Sequence, residues 1–165
     1  MRIKVEIRAS EAAKVPKYIK RLKTVISRSK KIGLEQALAE WANEIASRRL
    51  AWFKQNRDCL TRLKGTEVRK GFQLVMLEYM GINPKEIPIV KETKTKITWH
   101  AHDFCPYFEA IQQIGLDTRI VCKFATEKPC QALLDAYNPK LRFSRNYQKI
   151  RPNASFCEET IELVE

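Results

Sequence analysis

Hydrophobic and polar residues follow regular spacings along most of the chain, and the N-terminal spacings predict helices after a first strand. Residues 3–7 alternate apolar and charged side chains, as in a half-buried strand. Ser10 is in the position of a helix N-cap. Apolar residues then recur at steps of three and four over 15–26, surrounded by lysines and arginines, which predicts a basic amphipathic helix that ends at Gly33.

Two further helices are predicted before the middle of the chain. The first begins near Leu34 and has a buried stripe at Leu34, Ala37, Leu38, Trp41, Ile45 and Trp52. The next covers 68–79 and stops before Gly81 and Pro84. Residues 84–94 contain two prolines and a Lys/Glu/Thr run, so we expect a connector there.

The pattern changes after the connector, and it predicts a β-α-α-β-β module with an antiparallel sheet over residues 95–165. Residues 97–101 alternate like a strand, and Pro106 opens a helix capped by Gly115. Further helices are expected to start at Asp117 and Pro129, followed by strands over 141–147 and 155–164. The fold class is therefore α+β: a helical N-terminal part, 1–83, precedes this module.

Length and composition indicate one compact domain spanning 1–165. A chain of 165 residues can bury a sizeable core, and 44% hydrophobic content is ordinary for a globular protein. No apolar run reaches the 18 or more residues that a membrane span needs, and the charged N-terminus does not resemble a signal peptide. Five cysteines without a dense framework favour reduced thiols. These features predict a cytoplasmic protein; an oligomer is compatible with them.

The net charge of +12 is concentrated in the first part of the chain. Residues 1–100 carry 23 Lys and Arg against 10 Asp and Glu, whereas residues 101–165 carry 8 against 9. A basic face on the predicted Lys14–Lys31 helix could attract nucleic acid or anionic lipid. The simpler interpretation is an amphipathic helix with solvated lysines, so nucleic acid is an alternative partner.

The clearest candidate for chemistry is Cys105, directly before Pro106. The backbone N–H groups and positive dipole end of a helix N-terminus favour a thiolate, so we expect a lowered pKa and a nucleophilic or metal-binding thiol. His100 and His102 precede it on one predicted strand face, and Glu109 follows one helical turn later. These are two bases and an acid within one short segment.

The same residues suggest a metal site as a second possibility. Histidines two positions apart on a strand can share one ion, so His100, His102 and Cys105 form a candidate set for a divalent metal such as zinc. A third interpretation is that the thiol and the histidines only pack or cap, because free cysteines are commonly buried as small apolar residues.

A resemblance to a known family rests on several motifs in the last part of the chain. They are Phe104-Cys105-Pro106-Tyr107-Phe108-Glu109-Ala110, Gly115-Leu116, Cys122, Asn138-Pro139-Lys140-Leu141-Arg142-Phe143 and a late Cys157. Together they resemble the L-2-amino-thiazoline-4-carboxylic acid hydrolase family over roughly residues 97–165. Where that family has a Gly-Asp step before the last cysteine, this chain has Arg-Pro-Asn-Ala-Ser-Phe over 151–156.

The resemblance implies a hydrolase-like enzyme that acts on a C–N bond of a small anionic molecule of cyclic amidine type. In that hypothesis Cys105 is the nucleophile or a ligand, His100 or His102 is the general base, and Glu109 is an acid/base or orienting group. The expected substrate-binding residues are Arg142, Arg145, Cys122 and Cys157, with an arginine on the substrate carboxylate. The alternative is a non-enzymatic module that senses a small ligand or metal.

Overall fold

The computed structural model describes residues 3–165, and its helices occur mainly before its strands. The helices are α1 (Ala9–Ala12), α2 (Lys14–Ile32), α3 (Leu34–Gln55), α4 (Glu67–Phe72), α5 (Pro106–Ile114), α6 (Thr118–Val121) and α7 (Glu127–Tyr137). Short 3-10 turns cover Arg57–Arg62 and Pro84–Glu86, and π-helical segments extend α4 over Gln73–Tyr79 and α6 over Cys122–Thr126. The predicted α+β class is confirmed.

Four strands form one antiparallel sheet within the described residues. They are β1 (Ile89–Glu92), β2 (Lys96–Ala101), β3 (Leu141–Arg145) and β4 (Cys157–Leu163), in the spatial order β1-β2-β4-β3. The antiparallel pair predicted at the end of the chain is β3 with β4. Because successive residues of a strand point to opposite faces, Trp99 and Glu159 are on one face, and His100 and Glu158 are on the other.

One hydrophobic core joins the helical part to the sheet. Its buried residues run from Val15 in α2 to Ile161 in β4. Helix α3 contributes Trp41 and Ile45 and packs against both α2 and α7. Gly71 lets α4 approach the sheet closely, since a Cβ atom there would lie 3.0 Å from Leu141 Cδ1.

The helix boundaries follow the sequence signals with small differences. Gly33 separates α2 from α3 with φ of 85°, and Gly115 ends α5 with φ of 77°, both in the region that favours glycine. Helix α7 begins at Glu127, two residues before the expected start at Pro129, because Pro129 lies within its first turn.

Two strand predictions need correction. The predicted strand over 3–7 is wrong: the segment pairs with no strand, Ile7 is exposed, and α1 begins at Ala9 with Arg8, not Ser10, at its N-cap. Alternation describes which side chains face a surface, and it does not supply a partner strand. Conversely, the expected connector 84–94 contains β1, an edge strand whose exposed Lys/Glu side chains hid it from the hydrophobic pattern.

Candidate functional site

A cavity of about 360 Å³ lies where the start of α5, the face of α3, the segment before α2 and the inner face of the sheet meet. Polar and ionisable side chains from both halves of the chain line it. They include Tyr18, Arg49, Glu86, Asp103, Cys105, Tyr107, Cys122, Cys130, Arg145, Arg151, Cys157 and Glu159. The volume is within the range of pockets that hold small molecules.

Cys105 is the N-cap residue of α5, as the sequence predicted. Its extended backbone, with φ of −109° and ψ of 108°, allows Sγ to accept a hydrogen bond from the Phe108 N–H at 3.5 Å. The expected lowering of its pKa is wrong: burial raises the pKa of this thiol to about 12. The Arg151 charge lowers the pKa and Asp103 raises it, but neither outweighs the loss of solvation.

Asp103 is a site residue that the sequence prediction missed. It is 9% exposed, and burial raises the pKa of its carboxyl group to about 7, with Arg151 opposing that rise. A carboxyl group that titrates near neutral pH can both accept and return a proton. Its place two residues before Cys105 was the available signal, but nothing in the sequence showed that it would be buried.

Arg151 is a second site residue that was missed. Its Nη1 donates to the Asp103 carbonyl at 2.7 Å, and its Nε lies 3.4 Å from Cys157 Sγ. Its guanidinium carbon also lies 5.2 Å from the centroid of the Phe108 ring. This residue therefore connects the loop before β4 to the reactive end of the cavity.

Arg145, Cys122 and Cys157, three of the predicted substrate-binding residues, line the cavity together with Cys105. Arg145, however, is already paired: its Nη2 lies 2.7 Å from Glu159 Oε1, and its Nη1 donates to Thr126 Oγ1 at 2.9 Å. Burial raises the pKa of Cys122 to about 11, so this thiol is protonated at neutral pH.

The other predicted site residues lie outside the cavity. His100 Nε2 is 2.9 Å from Glu158 Oε2, on the opposite face of the sheet, and its ring stacks on Phe156 at 3.8 Å. His102 packs near the same phenyl ring, and burial lowers its pKa. Glu109 and Arg142 do not line the cavity either, and Arg142 donates to the Leu141 carbonyl at 2.9 Å.

The predicted metal set of His100, His102 and Cys105 is not assembled. Across residues 3–165, no group of three or more His, Cys, Asp and Glu side chains has an arrangement that could hold a metal ion. His100 is instead bound to Glu158, and Cys105 faces the cavity on the other side of the sheet.

Arg49 is the third missed residue, and it comes from the helical part of the chain. It is 2% exposed, its Nη1 donates to Cys130 Sγ at 3.1 Å, and its Nε has no hydrogen-bond partner among the described residues. Its guanidinium carbon lies 5.0 Å from the Tyr79 ring centroid. Its position in an otherwise apolar stripe of α3 was the sequence signal.

The basic face of α2 is separate from this cavity. Val15, Leu22 and Val25 are buried, whereas Lys17, Lys20, Lys23, Lys30 and Lys31 are exposed. Arg21 and Arg28 pair with Glu44 and Glu40 of α3. Nucleic-acid binding by these lysines stays a prediction. Within residues 3–165, no helix combines the length and apolarity that crossing a bilayer requires.

Fold and site together define the class of protein: an α+β protein with an internal cavity that combines thiols, a titratable carboxyl group and buried arginines. No family model, curated protein or solved structure matches the chain.

Proposed function

We propose that this protein is a hydrolase-like enzyme that cleaves a C–N bond of a small anionic molecule of cyclic amidine type. The observation that carries the proposal is the convergence of Cys105, Asp103 and Arg151 in one cavity of about 360 Å³. These side chains supply a nucleophile, a proton acceptor and a positive charge, which are the components that attack on an amidine carbon needs.

The proposed reaction uses Asp103 as the base in place of the histidines. Asp103 accepts the Cys105 proton, Sγ attacks the amidine carbon, and the C–N bond breaks as its nitrogen takes the proton from Asp103. Water then attacks the same carbon and gives a proton to Asp103. The C–S bond breaks, and the released thiolate recovers that proton, so that one water molecule is consumed overall.

The surroundings of Cys105 suit a thiolate that exists only during the reaction. The Phe108 N–H and the Arg151 charge both favour the negative sulfur, while burial keeps the resting thiol protonated. Arg151 interacts with both Cys105 and Cys157, and its charge can stabilise negative charge that develops on the substrate. Transient ionisation also protects the resting thiol from oxidation.

The family resemblance supports the same site. Three of its cysteines, Cys105, Cys122 and Cys157, are distant in sequence, and all line the cavity. Its Asn138–Phe143 motif overlaps β3, whose last residue, Arg145, also reaches the cavity. The likeness to L-2-amino-thiazoline-4-carboxylic acid hydrolases thus includes the Phe104–Phe108 run and two further cysteines at one cavity, while Glu109 and Arg142 of the motifs lie outside it.

A binding module without turnover is the second candidate function. The pKa of about 12 for the Cys105 thiol favours it, because only a very small fraction of this thiol ionises unaided at neutral pH. In this alternative the cavity retains its ligand, and the arginines and thiols contribute only affinity.

A substrate screen separates the two candidates. The full-length protein is incubated with small cyclic amidine carboxylates, and ring-opened products are detected by mass spectrometry. The proposal predicts product with wild type, loss of at least ~100-fold in rate with Cys105→Ser or Asp103→Asn, and an unchanged rate with Cys59→Ala, a buried thiol outside the cavity. Saturable binding without product would favour the binding module.

A further inference from the structure

The two buried arginines of the cavity, Arg49 and Arg145, differ in their charged partners. Arg145 has a carboxylate partner in Glu159, whereas among residues 3–165 no carboxylate lies within ion-pair distance of Arg49. The groups that act most strongly on Arg49 are the Cys130 thiol and the tyrosines Tyr107 and Tyr79. None of the three is a carboxylate: Cys130 accepts a hydrogen bond from Arg49 Nη1, and Tyr79 offers its ring to the guanidinium.

A buried cation without a countercharge is costly, because removing a charge from water is offset only by a well-placed opposite charge. Arg49 is 2% exposed, and its Nε–H has no hydrogen-bond partner in the part of the chain that the structure describes. Such an arrangement would be selected against in a purely structural position, where an apolar residue would fill the same space. It is expected where a ligand brings the missing negative charge.

The geometry points to Arg49 as the residue that binds an oxyanion group of the ligand in this cavity. Arg49 and Cys105 line the same cavity, so a single small molecule can contact both. The guanidinium matches the planar fork of a carboxylate, and it can also bind phosphate. Arg142 and Arg145, the arginines suggested by the sequence, are already engaged elsewhere.

The neighbouring tyrosines give this end of the cavity its shape. Tyr18 and Tyr107 stack with ring centroids 4.2 Å apart, and Tyr107 lies close enough to Arg49 for the arginine charge to lower its pKa against the effect of burial. Their hydroxyl groups can donate to an oxyanion held by Arg49. The inferred ligand therefore carries an oxyanion at one end and, if the proposed function holds, the amidine carbon at the other.

Thermal unfolding of the full chain in sodium chloride, acetate or phosphate, at fixed ionic strength and near-neutral pH, tests the inference. An anion at roughly ten times its Kd raises the Tm of wild type by about 3–6 °C relative to chloride. Arg49→Met should lose this rise. Arg57→Met is the control, because it removes the same charge from an exposed position that does not line the cavity, and it should retain the rise.

The outcomes separate the anion classes and the two proposals. A rise with acetate alone indicates a carboxylate, and a rise with phosphate alone indicates a phosphate-type group. The inference is overturned if neither anion raises the Tm of wild type, or if Arg49→Met keeps the rise. Repeating the titration with Cys105→Ser isolates binding from chemistry: the rise should persist there even if no substrate is ever hydrolysed.

A second variant guards against a folding artefact. Arg49→Met removes an uncompensated charge, so in chloride it should unfold at or above the wild-type Tm. If it unfolds well below, Arg49→Lys is measured instead. Lysine keeps the charge but lacks the planar fork, so the inference predicts a reduced but detectable rise. A full rise with lysine and with methionine would mean that the anion binds elsewhere.

Discussion

Arg145 and Glu159 face each other across the paired strands β3 and β4, and both Nε and Nη2 of the arginine contact the same carboxylate oxygen, Oε1, at 2.8 and 2.7 Å. The other oxygen, Oε2, accepts a hydrogen bond from Trp99 Nε1 at 3.1 Å. This buried pair connects three strands beneath the cavity. Because the Arg145 guanidinium is already paired although it lines the cavity, Arg49 is the better candidate for binding an anion.

Breaking this pair should destabilise the fold strongly. We expect Glu159→Ala to lower the free energy of unfolding by about 3–5 kcal/mol, since Arg145 would be left as an unpaired buried charge. Replacing both residues, with Arg145→Met and Glu159→Leu, should recover most of that loss. Denaturant unfolding measures both effects.

The control for this prediction is an exposed pair in the same sheet. Lys96 Nζ lies 2.6 Å from Glu162 Oε1, and both side chains are exposed. Glu162→Ala should therefore change the free energy of unfolding by about 1 kcal/mol or less. Equal losses for Glu159→Ala and Glu162→Ala would contradict the role given to the buried pair.

Asp103 should make stability depend on pH. Its pKa of about 7 is above the value near 3.9 in an unfolded chain, so the folded state holds the proton more tightly between these values. Stability should therefore fall as pH rises from about 4 to 7 and level off above, by about 4 kcal/mol in total from this group.

Asp103→Asn removes this titration. The variant should be more stable than wild type near pH 8 and close to it near pH 4, as measured by denaturant unfolding across that range. Parallel pH profiles for the two proteins would show that the carboxyl group is not held in its neutral form by burial.

The ionisation of Cys105 should respond to its two charged neighbours in opposite directions. Asp103→Asn removes a negative charge and should lower the thiol pKa, whereas Arg151→Met removes a positive charge and should raise it. The rate of Cys105 alkylation by a neutral reagent against pH, followed by peptide mass spectrometry, gives each pKa. Identical profiles in all three proteins would show that the charges of Asp103 and Arg151 do not affect the pKa of the Cys105 thiol.

The histidines should be dispensable for turnover. His100→Gln keeps a hydrogen-bonding group toward Glu158, so we expect at most about 1 kcal/mol of lost stability and less than a twofold change in any hydrolytic rate. His102→Ala should behave similarly in the rate measurement. A loss of hydrolytic rate comparable to that of Asp103→Asn would indicate that a histidine acts as the general base.

The sequence predicted the fold better than the site. Helices α2 and α3 were predictable because apolar spacing and Gly33 are local signals, and β2, β3 and β4 because their alternation matches a half-buried sheet. Strand β1 was not predictable, because only its pairing with β2 defines it. The segment 3–7 failed for the converse reason, since it has the pattern of a strand and no partner.

At the site, the position of Cys105 was predictable because Pro106 marks a helix start. The direction of its pKa was not, because the dipole effect is local while burial depends on the whole fold. His100 and His102 were assigned to the site because they are near Cys105 in sequence. Alternate residues of a strand point to opposite faces, and His100 points to the face of the sheet away from the cavity. Arg49 and Arg151 enter the cavity only through tertiary packing, which no local spacing reveals.

The most direct test of the central claim compares two alkylating reagents at Cys105: chloroacetamide, which is neutral, and chloroacetamidine, which carries the amidinium group. If the cavity recognises an amidine beside Asp103, the ratio of the amidinium rate to the amide rate should exceed the ratio for free cysteine, and Asp103→Asn should reduce it. The same ratio for wild type, Asp103→Asn and free cysteine would contradict a site built for amidine chemistry.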